Sequence, residues 1–322
     1  MASRPVVSRG NPRLSMAPPR SPRSDAALLF VVLIWGLNFP IIKVALEPMP
    51  PYVVNAFRFA VSALVLGAIH GWRTRHRPGG FFAPIREHGW MVAGLGLLGY
   101  VCYQWCFIVG VNATSAGSAA LIIASSPMWT AIIARMLGME RLPLGAWGGL
   151  ALSLAGTVLV VVAAANAPAF AEDTLFGNTL MLGGALLWAA YTVLSRPALT
   201  AGVSAVGLAF FGILIALPIL WALGWSDLDQ VDWAEVTPTV WAAIVFSGGF
   251  STGIAYGLWN IAVQRVGPSA TAIYNNLVPV VALASGVVLI GERVTLYQLL
   301  GGALILGGLL LMRRARRRTV LV

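Results

Sequence analysis

The stretch "PVVALASGVVLIGER", Pro279 to Arg293, decides the fold because its pattern occurs twice in the chain. About 150 residues upstream, "PMWTAIIARMLGMER", Pro127 to Arg141, has the same spacing from proline to Glu-Arg around another apolar run. Leu137 aligns with Leu289, while most other intervening residues share only their apolar character. The repetition predicts two related halves.

The composition predicts an integral membrane protein. The chain has 322 residues, of which 58% are hydrophobic and only 10% are charged, and its mean hydropathy is +0.83. Soluble domains carry about 25% charged residues. A chain with so few charges could not cover a water-soluble surface of this size.

Apolar segments long enough to cross a bilayer predict an all-α protein with ten transmembrane helices, because a span needs about 20 residues. Most connections between them are short, which leaves no room for a domain outside the membrane. The predicted spans are 26–46, 52–70, 90–110, 114–137, 144–164, 176–195, 204–223, 239–262, 268–290 and 296–312.

The basic residues predict the orientation, since cytoplasmic loops are enriched in Lys and Arg. With both termini in the cytoplasm, Arg293 is the basic residue left in an outer loop, and Lys43 and Arg58 lie within helices. The net charge of +10 then reflects orientation and contact with anionic lipid, and requires no nucleic-acid partner. The residues on the cytoplasmic side are Arg4, Arg9, Arg13, Arg20, Arg23, Arg73, Arg75, Arg77, Arg86, Arg135, Arg141, Arg196, Arg265, Arg313, Arg314, Arg316, Arg317 and Arg318.

Residues 1–24 contain five Arg and five Pro without an apolar period, and we predict a disordered cytoplasmic tail. A cleaved signal peptide is the alternative interpretation of this basic start. The run that follows, 26–46, has the length of a full span and lacks a clear small-residue cleavage site, which favours a retained first helix.

The similarity between the halves extends well beyond the opening stretch, at an offset of 152–153 residues. Each half holds five predicted spans, and because five is odd, the second half enters the bilayer in the opposite sense. Inverted repeats are the architecture of many secondary transporters, where one central site opens to either side in turn. Duplication without a transport role is the alternative, since channels and membrane enzymes are also duplicated. The aligned pairs are Trp35 with Trp188, Lys43 with Arg196, Tyr103 with Tyr256, Gly149 with Gly301, and Gly156 with Gly308.

These features resemble the EamA-type drug/metabolite transporter superfamily. The resemblance is carried by "WGLNFPIIK", "RFAVSALVL" and the proline followed thirteen residues later by Glu-Arg in both halves, and it covers residues 26–312. Within the superfamily, the chain is most similar to the YddG group of bacterial aromatic amino-acid exporters.

The resemblance implies a secondary transporter, and no enzyme, in the bacterial inner membrane. It would export amino acids, aromatic or broad-range, or similar small metabolites by alternating access. Residues 25–165 would form the first repeat, 174–312 the second, inverted repeat, and 313–322 a basic cytoplasmic tail. The expected partners are a small-molecule substrate and the lipid bilayer, with no obligate protein partner.

Polar and aromatic residues at helical spacing predict a central cavity, because such groups are costly in hydrocarbon and should face inward. In the third span they follow i, i+3, i+4, i+7, and in the eighth span i, i+4, i+7, i+8, so each set shares one face. An aromatic wall with a few hydrogen-bonding groups suits an amphipathic solute and an ammonium group. The predicted substrate-binding residues are Asn38, Tyr100, Tyr103, Gln104, Trp129, Trp188, Tyr256, Trp259, Asn260 and Asn275.

Four further residues have candidate roles in transport. Lys43 and Arg58 lie inside predicted helices near the outer surface, where they either attract a substrate carboxylate to the outer mouth or extend to the interface. Pro127 and Pro279 each remove a backbone hydrogen bond within a span, which predicts kinks that are either gating hinges or static bends.

Several other functions would require charged residues at positions where this sequence does not have them. We find no Asp or Glu in a predicted helix core, which disfavours proton coupling and favours a facilitator or exchanger, although His70 leaves an opening. A carrier of phosphorylated solutes would require several cations deep in the cavity. A membrane enzyme would require Asp, Glu and His together at one face of the membrane. Sugars, nucleosides and amphipathic drugs remain alternative substrates, a passive channel is a further alternative, and no cofactor or metal is expected.

Overall fold

The computed structural model describes residues 22–76, 80–139, 143–165 and 171–320, and it describes their side chains except at 22–24, 161–165, 171–173, 313 and 316–320. The predictions for the tail before residue 22, for Arg77 and for Glu140 with Arg141 lie outside these residues. Within them, the regular secondary structure is entirely helical.

We number the helical segments α1 to α10 and treat a helix interrupted by a 3-10 or π turn as one segment. Eight of those described are long and apolar enough to cross a membrane, whereas α5 and α10 carry shorter apolar stretches, Leu144–Val160 and Leu296–Met312. The segments are α1 Pro22–Leu46, α2 Pro51–Thr74, α3 Ala83–Asn112, α4 Ala116–Met136, α5 Leu144–Ala165, α6 Ala171–Thr200, α7 Ala205–Gly224, α8 Pro238–Val266, α9 Pro268–Ile290 and α10 Leu296–Val320.

Two boundaries differ from the sequence prediction. The first helix begins at Pro22, inside the segment predicted as a disordered tail, because proline fits the first turn of a helix, where its missing N–H is not needed. The last helix continues through the Arg cluster to Val320, since arginine is a good helix former and basic residues are favoured at a helix C-terminus.

A turn of π helix interrupts one helix in each half. In α3 it covers Leu97–Cys102, directly before Tyr103, and in α8 it covers Phe246–Ile254, just before Tyr256. A π turn adds a residue to the helix and is common at functional sites. In each half, the π turn therefore changes the face on which the following side chains lie.

The helices α4 and α9 are both irregular immediately before their prolines, as the sequence predicts. A turn at residues 124 and 125 separates two parts of α4 ahead of Pro127, and a 3-10 turn, Ile273–Leu277, precedes Pro279 in α9. Proline lacks the N–H that would complete the helical bond to the residue four positions earlier. Ile123 and Asn275 stand at those positions.

Glycine allows α5 and α10 to pack backbone against backbone. Gly149 lies against Gly308, and Gly156 lies against Gly301, so the four aligned glycines of the two halves meet each other. Small residues permit this close approach between membrane helices. The packing of α5 against α10 therefore joins the last helix of one half to the last helix of the other in antiparallel order.

Replacing Gly149 by Ala should destabilise the protein, because the added Cβ would lie 2.6 Å from the backbone nitrogen of Met312. Overpacking of this kind costs about 1–3 kcal/mol. The matched control is Gly148→Ala, since a Cβ on the neighbouring Gly148 meets no atom within 4 Å. We expect the unfolding temperature in detergent to fall for the first variant alone. An equal change in both variants would contradict the packing described for α5 and α10.

Candidate functional site

The middle of the helical bundle contains a small cavity of about 30 Å³, which is room for about one or two water molecules. Its wall combines side chains from α1, α2, α3 and α4 of the first half with side chains from α6, α8 and α9 of the second. The lining residues are Trp35, Asn38, Phe39, Arg58, Tyr103, Gln104, Phe107, Ile123, Trp188, Ser251, Tyr256, Asn275 and Val278.

Aromatic rings from both halves form most of the wall. The aligned pair Trp35 and Trp188 make an edge-to-face contact with ring centroids 5.4 Å apart. Trp188 also packs against Tyr103 and Tyr256, at 5.0 and 5.1 Å, and the Trp35 Nε1–H donates to the carbonyl of Ser251 at 3.0 Å. These contacts place apolar ring surface and the negative faces of aromatic rings around one space.

Arg58 is the cation of this wall, and it is only 1% exposed. Its Nε donates to Ser247 Oγ at 2.7 Å, while its terminal nitrogens donate to Asn55 Oδ1 and Thr252 Oγ1, each at 3.1 Å. The guanidinium lies over the Phe107 ring, 5.7 Å from its centroid. Arg58 thus points into the protein interior, where neutral groups hold it, and does not extend to the membrane interface.

Two side-chain amides contribute polar atoms to the cavity. The Gln104 Nε2 donates to the Tyr256 hydroxyl, which links the two halves, and the Asn275 Nδ2 donates to Ser126 Oγ at 3.2 Å. The carbonyl oxygens of both amides, Gln104 Oε1 and Asn275 Oδ1, are buried without a hydrogen-bond partner among the described residues. Unsatisfied buried acceptors are costly and mark places where a ligand or water can bind.

Six of the ten predicted binding residues line the cavity, and four lie outside its wall. Trp129 belongs to the packing around α4 and α5. The other three form a layer behind the cavity, where Trp259 packs on Trp35 at 5.0 Å. The residues outside the wall are Tyr100, Trp129, Trp259 and Asn260.

A hydrogen-bond network occupies this second layer. The Tyr100 and Tyr191 hydroxyls are 2.6 Å apart, and the Tyr191 hydroxyl donates to Asn260 Oδ1 at 3.0 Å. The Trp259 Nε1–H donates to Thr192 Oγ1 at 3.3 Å. These side chains satisfy one another, so they support the cavity wall instead of offering groups to a ligand.

Six wall residues are absent from the predicted binding set and from the other predicted roles, and these are Trp35, Phe39, Phe107, Ile123, Ser251 and Val278. Two of them carried a signal, because Ile123 lies four positions before Pro127 and Val278 lies directly before Pro279, where the helices are irregular. Ser251 lies within the π turn of α8, which helical spacing does not reveal.

Lys43 lies apart from the cavity. It is half-buried and borders a surface pocket at the end of the bundle, together with Asn112 and Ser115. Within the described residues, no group of three His, Cys, Asp or Glu side chains could hold a metal ion. His70 is buried elsewhere, with Nε2 2.9 Å from the Phe81 carbonyl oxygen.

Comparison with known proteins gives a consistent result. The model of a family described as the EamA-like transporter family matches residues 23–162 and 175–314, one match for each half. A protein of Salmonella typhimurium named "Probable amino-acid metabolite efflux pump" is 30% identical over 89% of this chain and 94% of its own length. A protein of Escherichia coli with the same name is 27% identical over the same shares.

One solved crystal structure shares the fold, with a TM-score of 0.69 at 22% sequence identity. The match covers 92% of this chain and 99% of the other. At this identity, the likeness concerns the fold alone.

Tyr191→Phe should lower the free energy of unfolding by about 1–3 kcal/mol, because it removes the hydroxyl between Tyr100 and Asn260 and leaves buried groups unpaired. Tyr52→Phe is the control, since the Tyr52 hydroxyl accepts one exposed bond, from Trp105 Nε1. Thermal unfolding in detergent measures both. A Tyr191→Phe protein as stable as the control would show that the network does not support the wall.

Proposed function

This chain belongs to the EamA-like transporter family, and on that premise we propose that it exports amino acids or similar small metabolites across the bacterial inner membrane by alternating access. It is a multi-pass membrane transporter and not an enzyme. The proposal rests above all on a cavity that is walled by aromatic and amide side chains from both halves. Relatives named as amino-acid metabolite efflux pumps support the substrate class.

The proposed topology has ten transmembrane helices in two inverted five-helix repeats, with both termini in the cytoplasm. The two separate family matches support the repeats. Further support comes from features that recur in both: a π turn in α3 and α8, a break before the proline in α4 and α9, and a glycine of positive φ after α4 and α9, at Gly138 and Gly291. The distribution of Arg supports the orientation.

A polar contact between the halves supports alternating access, because it closes one end of the bundle. The Glu292 carboxylate accepts from the backbone N–H groups of Ala116 at 2.6 Å and Gly117 at 3.0 Å, at the start of α4. A carboxylate is favoured at a helix N-terminus, where N–H groups are free and the dipole is positive. The left-handed turn at Gly291 directs Glu292 back toward this position.

A second side chain strengthens the same contact. The Gln298 Nε2 donates to Ser115 Oγ at 3.0 Å and to Ser118 Oγ at 3.1 Å. We call these bonds of Glu292 and Gln298 to residues 115–118 the latch. On the proposed topology, the latch lies on the outer side, and it must open whenever the cavity opens outward.

The first test of the proposal is counterflow in liposomes that contain the purified protein. Vesicles are loaded with unlabelled amino acids, and uptake of labelled ones is recorded with and without a pH gradient. We expect transient accumulation of label, which a passive channel does not give, and no dependence on the gradient. Absence of uptake with every amino acid would refute the amino-acid proposal and favour sugars, nucleosides or amphipathic drugs.

Within this assay, Trp188→Ala should reduce flux at least tenfold, because Trp188 packs against three other aromatic residues of the wall. Trp147→Ala is the matched control, since Trp147 is 49% exposed on α5 and lies away from the cavity. Both proteins should be expressed at wild-type levels. Normal flux through Trp188→Ala would contradict the assignment of the cavity as the substrate site.

Cross-linking tests the latch. In a protein with Cys102 and Cys106 replaced by Ser, cysteines at positions 115 and 298 should react with a bifunctional thiol reagent, which then abolishes counterflow until a reductant cleaves the link. The two single-cysteine proteins are the controls and should keep their flux. Full flux in completely cross-linked protein would mean that this end never opens.

A membrane-impermeant thiol reagent tests the orientation with the same cysteines. It should react from the periplasmic side, and reaction only from the cytoplasm would contradict the proposed orientation.

A further inference from the structure

We propose that Arg58 and Gln104 form a two-point site for the zwitterionic backbone of an α-amino acid, with Arg58 binding the carboxylate and Gln104 Oε1 binding the ammonium group. This inference rests on the proposed function and specifies its substrate class. It assigns a direction to the bound substrate, since the two groups lie on different helices, α2 and α3, around one cavity.

Arg58 places a positive charge in the protein interior. Its hydrogen-bond partners Asn55, Ser247 and Thr252 are all neutral, and no carboxylate pairs with it in the part of the chain that the structure describes. Buried cations without an anion are strongly disfavoured, because neutral dipoles replace only part of the lost hydration. Residues kept at such a cost inside a membrane protein are functional by default, and their missing partner is the expected ligand.

Arg58 has more N–H donors than its three hydrogen bonds use. Guanidinium has five N–H groups, one on Nε and two on each terminal nitrogen. The three hydrogen bonds use one from each nitrogen, which leaves one N–H on each terminal nitrogen without a partner among the described residues. Two donors on one planar group match the two oxygens of a carboxylate. The partners also fix the guanidinium in place, so little conformational entropy is lost when a carboxylate binds.

Gln104 can supply an acceptor for an ammonium group. Gln104 is 1% exposed, its Nε2 is fixed by Tyr256, and its Oε1 has no partner among the described residues. Asn275 Oδ1 is a second unpartnered acceptor of the same wall. The nearby rings of Tyr103 and Trp188 add attraction for a cation through their faces. These groups suit an ammonium ion, which has three donors.

The two repeats differ at the position of Arg58. At the offset of 153 that aligns Trp35 with Trp188, Arg58 aligns with Phe211 of α7. The second repeat therefore supplies no equivalent cation, and Arg58 is the one Lys or Arg in the described wall of the cavity. One cation suits a single carboxylate, whereas a phosphate ester of charge near −2 would require further cations or donors.

The experiment measures binding as the Kd obtained from the rise in the unfolding temperature of the purified protein in detergent over a series of probe concentrations. The probes are phenylalanine, phenylalaninamide and 3-phenylpropionate, with leucine and leucinamide as a second acid-amide pair. Amidation removes the carboxylate charge, and phenylpropionate lacks the ammonium group. The proteins are wild type, Arg58→Gln, Arg58→Lys, Gln104→Leu and the control Arg265→Gln, whose side chain is exposed on α8.

We expect wild type and Arg265→Gln to bind the acids more tightly than their amides. Arg58→Gln should weaken binding of the acids about 10- to 100-fold, as for loss of hydrogen bonds to a charged group, and leave binding of the amides unchanged. Gln104→Leu should weaken phenylalanine about tenfold and leave phenylpropionate unchanged. Arg58→Lys should keep the preference for acids with weaker binding, because a point charge lacks the planar pair of donors.

An equal loss of affinity for acid and amide in Arg58→Gln would overturn the inference and make Arg58 a structural residue. If that variant does not fold, the same comparison in Arg58→Lys decides, and loss of its preference for acids overturns the inference. Failure of the proposed function gives a different result: wild type itself would be stabilised by none of the amino acids and would show no counterflow with them.

Discussion

The structure depends on how a guanidinium is held inside a bundle that lipid surrounds. Arg58 donates from α2 to Ser247 and Thr252 of α8, so its bonds join the first half of the chain to the second. Ser247 in turn donates to Asn38 Oδ1 on α1. Polar groups in hydrocarbon must find partners within the protein. This network satisfies most of them, while no described carboxylate pairs with the guanidinium charge. The same arrangement that positions the helices therefore creates the requirement for an anionic ligand.

Repetition accounts for the frame, and departures from it account for the chemistry. The glycines that join α5 to α10, the π turns and the breaks before Pro127 and Pro279 all occur in both halves. They determine how the helices pack, and a cavity forms where the two halves meet. In contrast, Arg58 aligns with Phe211, so the cation of the cavity wall has no counterpart at the aligned position. A perfectly symmetric cavity would bind a substrate equally in two directions, and the single cation removes that degeneracy.

The helical, membrane-spanning character and the two repeats could be predicted from the sequence, because hydropathy and an offset repeat are visible without coordinates. The cavity was predicted only in part. Helical spacing placed Tyr100 on one face with Tyr103 and Gln104, but Tyr100 lies within the π turn, and Tyr103 follows it, so the assumed period does not hold. A π turn is stabilised by tertiary contacts and leaves no periodic signal. Arg58 was expected at the outer mouth, because sequence position alone gives depth only roughly and cannot reveal that Ser247 and Thr252 hold it inward.

The polar groups of the cavity determine which solutes it can bind. The cavity contains a cation and two amide oxygens without a partner among the described residues. Its walls are aromatic rings in contact with one another, so these rings must separate before a solute as large as an amino acid can enter. Each polar group gains a partner when a zwitterion of the proposed kind binds, whereas an apolar solute would leave all three unpaired. Selectivity then follows from the cost of unsatisfied groups as much as from new contacts. Because the cavity draws on seven helices, a ligand that satisfies these groups also stabilises the relative position of the two halves, which is the coordinate that the proposed alternating access would change.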